Sequence, residues 1–270
     1  MGMRAATTEI RTGLTVPYLE QGPANGLPVV LLHAWGESRH AFSRLMPRLA
    51  PGIRALAFDQ RGHRDADKPA TGYELADFSE DVVAFLDALG VESAVLLGSS
   101  SGGYVAQQVA LDHPDRVRGI VLVGSPRSLT SRVSFADEVD ALVDPIDRAW
   151  VEDSLRWFEL VAPVPDAYID DRVEDGVRMP ARVWRDALAG LSAAVPPTDA
   201  GVIAAPALVI HGARDRLLPL AEAERLVASL PDARLLVYDD AAHLVLWEHP
   251  ERIADDVTSW IGERLKAAVS

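Results

Sequence analysis

Residues 98–103 read Gly98-Ser99-Ser100-Ser101-Gly102-Gly103, and of the three serines only Ser100 is centred between glycines two positions to either side. The run follows an apolar stretch of strand character, Ala94 to Leu97. It precedes a helical pattern with Val105, Ala106, Val109 and Ala110 on one face. A hydroxyl on such a strand-to-helix turn is lifted above the sheet, and the glycines leave room where the two backbones crowd. The helix N-terminus adds partial positive charge where an oxyanion would form. The chemistry this suits is nucleophilic attack by Ser100 on an acyl carbon, with Ser99 and Ser101 turned into the sheet and helix packing. A serine hydroxyl is a weak nucleophile at neutral pH, so a base is needed, and a further group must hold that base in the right tautomer. His243 follows the strand ending at Tyr238, and Asp215 follows the strand ending at Ile210. Ser100, Asp215 and His243 therefore occur in that chain order, each just beyond a strand's carboxyl end, where open α/β sheets place their sites. Asp239 and Asp240 share the base's own loop and are badly placed to brace its ring.

The elements that must position these residues are short apolar runs alternating with helical patterns, as a mostly parallel sheet covered by helices requires. Thr8 to Arg11 and Leu14 to Tyr18 read as an entry hairpin. Val29 to His33, Arg54 to Asp59, Ala94 to Leu97, Gly119 to Val123, Ala207 to Ile210 and Arg234 to Tyr238 read as buried strands. Val82, Phe85, Leu86 and Leu89 recur at helical spacing before Gly90. Ile253, Val257, Trp260 and Ile261 mark a closing helix that starts near Pro250. From about Pro126 to Pro197 the alternation stops, and helical stretches such as Phe135 to Val143 and Trp150 to Val161 are punctuated by proline. This region reads as a helical insertion in the sheet, giving a core of residues 1–125 and 198–270 and an inserted cap of 126–197. Trp150, Trp157, Phe158 and Trp184 read as its packing residues, some of them facing a substrate.

At 270 residues, 49% hydrophobic, the chain has length for one sizeable core. It has no cysteine, which removes disulfides and thiolate chemistry, and its net charge of −14 opposes nucleic acid and anionic lipid. Neither a signal peptide nor a run of roughly 20 apolar residues is apparent, so the expectation is a cytoplasmic protein with no membrane partner. No histidine pair has metal-ligand spacing. His33 and His211 read as loop supports, Asp59 as structural, and His63, His113 and His249 as turn or surface residues.

Six blocks in order resemble the successive signatures of the α/β-hydrolase fold family over nearly the whole chain. They are Leu31 to Gly36, Phe58 to His63, Gly98 to Gly103, His113 to Val117, His211 to Asp215, and His243 to Pro250. The resemblance implies an α/β-hydrolase fold with a helical lid and a catalytic triad of Ser100, Asp215 and His243. It also implies an oxyanion hole from the backbone N–H groups of Trp35 and Ser101, and no cofactor or metal. Two positions depart from the pattern: Ala34 replaces the usual glycine after His33, and Arg64 replaces a common glycine after His63. The expected partner is a small molecule, with homo-oligomerisation left open. The expected reaction is hydrolysis of a small, largely apolar carboxylic ester or lactone. Trp247-Glu248-His249 also resembles the closing motif of hydrolases that cut carbon–carbon bonds in dienoic ring-cleavage products. Cofactor-free haloperoxidase or perhydrolase chemistry, and a non-catalytic ligand-binding protein on the same fold, are the other readings.

Overall fold

The computed structural model describes residues 2–130 and 134–265. Residue 1 and residues 266–270 of the expected core, and 131–133 of the expected cap, lie outside the described residues. Eight strands form one sheet: β1 (Arg4–Glu9), β2 (Thr15–Gln21), β3 (Leu27–Leu32), β4 (Ile53–Phe58), β5 (Ala94–Ser99), β6 (Val117–Val123), β7 (Ala207–Gly212) and β8 (Ala233–Tyr238). Their spatial order is β1-β2-β4-β3-β5-β6-β7-β8. The pairs β1/β2 and β2/β4 are antiparallel, and every later pair is parallel. All six residues of β5 and of β7 are buried. A parallel strand covered on both faces needs apolar side chains on both, which is why these segments read as continuous apolar runs rather than alternating ones.

One face of the sheet carries α1 (Leu75–Ala88) and α2 (Ser101–Asp112), whose apolar stripes join Val30, Leu32, Leu96 and Ile120 in one core cluster. The closing helix lies in the second cluster, where Ile253, Val257 and Trp260 pack with Val29, Leu31, Val95 and Leu208. Alternate residues of β3 and β5 thus serve opposite cores, as the period-2 pleat dictates. α1 starts with a reciprocal capping box between Glu74 and Asp77.

Between β6 and β7 lie α3 (Ala136–Asp140), α4 (Arg148–Ser154), α5 (Asp166–Val177), α6 (Ala181–Ala193) and α7 (Pro197–Ala200), with no strand among the described residues of the insertion. α3 and α4 are shorter than the sequence pattern suggests. The second expected helix, Trp150 to Val161, leaves α-helical geometry after Ser154 and passes through a single 3-10 turn, Leu155–Trp157. α8 (Leu220–Ala228), α9 (Val245–Glu248) and α10 (Pro250–Arg264) complete the chain. Among the described residues no helix is long and apolar enough to cross a membrane.

The insertion is tied to the sheet domain by buried and part-buried polar contacts. Arg64 pairs with Asp175 of α5, and Ser38 donates to the same carboxylate at 2.7 Å. Tyr168 donates to the Ala41 carbonyl at 2.7 Å, and Arg182 of α6 donates to the Lys68 and Pro69 carbonyls at 2.6 Å each. Arg64 sits at φ 39°, in the left-handed region that glycine favours. Its side chain explains the substitution: a glycine there would relax the turn and lose the guanidinium that holds α5.

Candidate active site

Ser100 lies between β5 and α2 with φ 48° and ψ −121°, a conformation L-residues rarely adopt. The turn is tight enough to dictate its neighbours. A Cβ on Gly98 would collide with the Gly102 and Gly103 backbones, and one on Gly102 would collide with the Leu32 carbonyl. The Ser100 N–H donates to the Val123 carbonyl at 2.9 Å, which locks the elbow to β6.

The structure brings the three expected residues together. Ser100 Oγ lies 3.1 Å from His243 Nε2, and His243 Nδ1 lies 2.8 Å from Asp215 Oδ2. A carboxylate only accepts, so Nδ1 carries the proton and Nε2 presents its lone pair to the Ser100 hydroxyl. Asp215 is fixed in turn. Its Oδ1 accepts from the Leu217 and Leu218 N–H groups at 2.9 and 2.8 Å, leaving Oδ2 for the imidazole. The side chain of Asp215 is fully buried. Neither Asp239 nor Asp240 takes this place.

The loop expected to supply the Trp35 N–H to an oxyanion has one feature the sequence did not show. Ser101 begins α2, where N–H groups point outward, and its buried side chain also meets this loop. Its Oγ accepts from the Trp35 N–H at 2.7 Å. Ala34 is not in left-handed conformation, so the missing glycine costs the loop nothing there. The turn is made two residues on by Gly36 at φ 80°, packed so closely on the Trp184 ring that a Cβ would clash. Glu37, a buried carboxylate that the sequence reading missed, braces this loop. It accepts from the Ala34 N–H at 3.2 Å and from Trp247 Nε1 at 2.7 Å, and burial raises its pKa. No local pattern marks Glu37, because its partner lies 210 residues away.

Glu248 was also missed as a site support, although the motif containing it was noted. One of its carboxylate oxygens accepts from the N–H groups of Val161 and Ala162, the latter at 2.9 Å; the other accepts from Ala242 N–H at 2.9 Å. It thereby joins the insertion to the loop that carries His243. Just before that joint, the Phe158 ring stacks on the His243 imidazole with centroids 5.3 Å apart.

Two of the other histidines, His33 and His211, support loops. His33 is fully buried, its Nδ1 bonded to the Ala34 carbonyl at 2.9 Å and its Nε2 accepting from Gln60 N–H at 3.0 Å; burial holds its pKa well below the usual value. His211 Nε2 bonds the Leu218 carbonyl at 2.8 Å. Asp59 accepts from the Arg39 backbone and pairs with its guanidinium. His63 lies in a turn, its N–H donating to the Gln60 carbonyl at 3.0 Å, but it is buried there, 2% exposed, and burial depresses its pKa to about 4.

Ser100 and His243 open into a pocket of ≈ 110 Å³, as space open to a water's centre. Its walls are predominantly Leu, Trp and Phe, with Trp157, Phe158 and Trp184 from the insertion and Leu217 and Leu244 from the sheet domain. Trp150 instead packs edge-on against Trp157 and Trp184. Such a pocket excludes water around the hydroxyl and suits an apolar acyl or alcohol group.

A family model described as alpha/beta hydrolase fold matches residues 28–250. A non-heme chloroperoxidase of Streptomyces lividans is 30% identical over 272 residues, covering 94% of this chain and 99% of that protein. A 2-hydroxymuconate semialdehyde hydrolase of Pseudomonas sp. (strain CF600) is 31% identical over 262 residues, covering 91% and 90%. A pimeloyl-acyl-carrier-protein methyl ester esterase of Aromatoleum aromaticum is 30% identical over 259 residues, covering 84% and 94%. Three differently named activities stand at nearly equal identity, so similarity alone does not choose among them.

Proposed function

Because the chain belongs to the alpha/beta hydrolase fold family, we propose that it is a serine hydrolase cleaving small, largely apolar carboxylic esters or lactones through an acyl-enzyme on Ser100. The observation that carries this reading is the hydrogen-bonded line Ser100–His243–Asp215, at 3.1 and 2.8 Å, opening into an apolar pocket.

In this account the Ser100 oxygen attacks the ester carbonyl while His243 Nε2 takes its proton. Asp215 keeps the proton of Nδ1 in place and stabilises the imidazolium that forms. The carbonyl oxygen becomes an oxyanion at the N-terminus of α2, within reach of the Ser101 N–H and, once it turns from Ser101 Oγ, of the Trp35 N–H. Collapse breaks the carbon–oxygen bond, and His243 delivers its proton to the leaving alcohol. Water, deprotonated by His243, then attacks the acyl-enzyme; the bond to Ser100 Oγ breaks as His243 returns the proton to that oxygen, and the carboxylic acid is released.

The closing motif Trp247-Glu248-His249 carries no preference between carbon–carbon cleavage and ester hydrolysis, since its contacts support the loops for either reaction and Trp247 also borders the pocket. Trp247 holds Glu37, Glu248 joins the insertion to the base's loop, and His249 Nε2 bonds the Asp240 carbonyl at 3.0 Å. A panel of p-nitrophenyl esters of increasing acyl length, simple lactones, a dienoic ring-cleavage product and a peroxide-dependent halogenation assay tests the proposal. Turnover is expected with esters or lactones. Turnover confined to the dienoic substrate or to halogenation would replace it, and none with any would favour a ligand-binding protein.

A further inference from the structure

Two buried acceptors beside the Trp35 loop have no partner among the described residues. His63 Nδ1 lies 2.9 Å from the Arg61 carbonyl, which only accepts, so Nδ1 holds the proton and Nε2 carries a lone pair. That Nε2 is buried and unbonded. Gln60 Nε2 donates to the His33 carbonyl at 2.7 Å, which fixes the amide's orientation and leaves Oε1 an acceptor, also buried and unbonded. Both residues border one small cavity, with ≈ 10 Å³ open to a water's centre, walled otherwise by Phe78, Val105, Trp35, Ser101 and Leu191. That is the scale of a single water molecule. Ser101 supplies the third group: its Oγ accepts from the Trp35 N–H at 2.7 Å, and its own hydrogen remains to be donated.

We propose that this cavity is a binding site for one structural water, which donates to His63 Nε2 and Gln60 Oε1 and accepts from the Ser101 hydroxyl. The inventory fits only a particle with two donors and a free acceptor. An ammonium ion has no lone pair for the Ser101 hydrogen, and a metal cation would leave that hydrogen facing positive charge. With the water in place, hydrogen bonds run from Trp35 N–H through Ser101 and the water to His63 and Gln60. Each bond polarises the next, and leaving two buried acceptors unmade would cost more than ordering one water. Ser101 is then a positioning residue. Its side chain, anchored from behind by the water, holds the Trp35 amide beside the nucleophile until the forming oxyanion draws that N–H away from Ser101 Oγ.

The positional role rests on the ester-hydrolase reading; the water site does not. High-resolution crystal structures of the wild type and of Ser101→Ala test the site. The wild type should show one fully occupied water about 3 Å from His63 Nε2, Gln60 Oε1 and Ser101 Oγ. An empty cavity, or a Gln60 amide turned to donate directly to His63, overturns it. With an ester the wild type hydrolyses, Ser101→Ala should lower kcat about tenfold, less than the 10²–10³ of a lost oxyanion donor, with KM changed by less than about twofold. Ser101→Thr, which keeps the hydroxyl, should recover most of the loss. Wild-type kcat in Ser101→Ala overturns the positioning role. Crystal density is read whether or not any ester turns over, so failure of the water site and failure of the ester reading are separate results.

Discussion

At the residue scale, the side chains proposed to do the chemistry were legible because each is announced locally. Ser100 is centred in a glycine-flanked turn, and Asp215 and His243 each follow an apolar strand. The groups that support them were not legible, since Glu37 acts on Trp247 from 210 positions away and the Ser101 hydroxyl meets Trp35 across 66. Only the folded chain brings such pairs together. Asp215 offers a test of the support, because its two oxygens have different duties. In Asp215→Asn, the Leu217 and Leu218 N–H groups will hold the amide oxygen, which turns the NH₂ toward His243. The imidazole must then accept at Nδ1 and carry its proton on Nε2, where it cannot take the serine's. Turnover of an activated ester should fall roughly 10⁴-fold, while circular dichroism and the urea midpoint stay near wild type. A loss below about tenfold would remove Asp215 from the orienting role.

At the element scale, the buried strands were legible from their apolar runs, whereas β1, expected at Thr8 to Arg11, lies at Arg4–Glu9 because a mostly exposed edge strand carries no apolar run, and the helices of the insertion were blurred by short length and frequent proline. The anchor of that insertion was hidden in a turn position. Arg64 holds Asp175 from a left-handed conformation, so two substitutions separate its charge from its backbone. Arg64→Ala should destabilise the fold by about 3 kcal/mol, because Asp175 is fully buried and, among the described residues, keeps only Arg172 as a cationic partner. Arg64→Gly loses the same pair but relaxes the turn, and should be about 1 kcal/mol less damaging in urea unfolding. Equal losses would mean that the backbone stores no strain. The aromatic wall belongs to this scale too. Trp157 stacks on Phe135 with centroids 4.3 Å apart and borders the pocket, so Trp157→Ala should enlarge the acyl space. The ratio of kcat/KM for an octanoyl over an acetyl ester should rise about tenfold. A flat chain-length profile would assign Trp157 to packing alone.

At the scale of the whole molecule, folding buries histidines that remain neutral. His40 and His63 are depressed to about 4, and His33 and His211 are lowered as well, burial being the largest cause for all four. In the unfolded chain these groups bind protons near pH 6.5. Between about pH 6.5 and 4 the unfolded state therefore holds more protons at these four sites, and stability falls as pH is lowered through that window. Asp59, raised to about 6 by burial, works in the opposite direction with the raised carboxyls of Glu37 and Asp175, and softens the fall. Urea midpoints should decline from pH 7 to pH 4.5, and a midpoint that rises would mean the carboxyls outweigh the histidines. The molecule's central claim also depends on its parts acting together. A strained elbow from β5 and α2, a base from the β8 side of the sheet and a pocket walled by the insertion must converge on one oxygen. An organophosphonate reports that convergence in one step, since capture needs both an activated hydroxyl and working oxyanion donors. Peptide mass spectrometry of the labelled protein should find one adduct per chain, on Ser100, absent in Ser100→Ala and retained in Ser99→Ala. An adduct on Ser99 or Ser101, or no adduct from an enzyme that still turns over esters, would contradict the account.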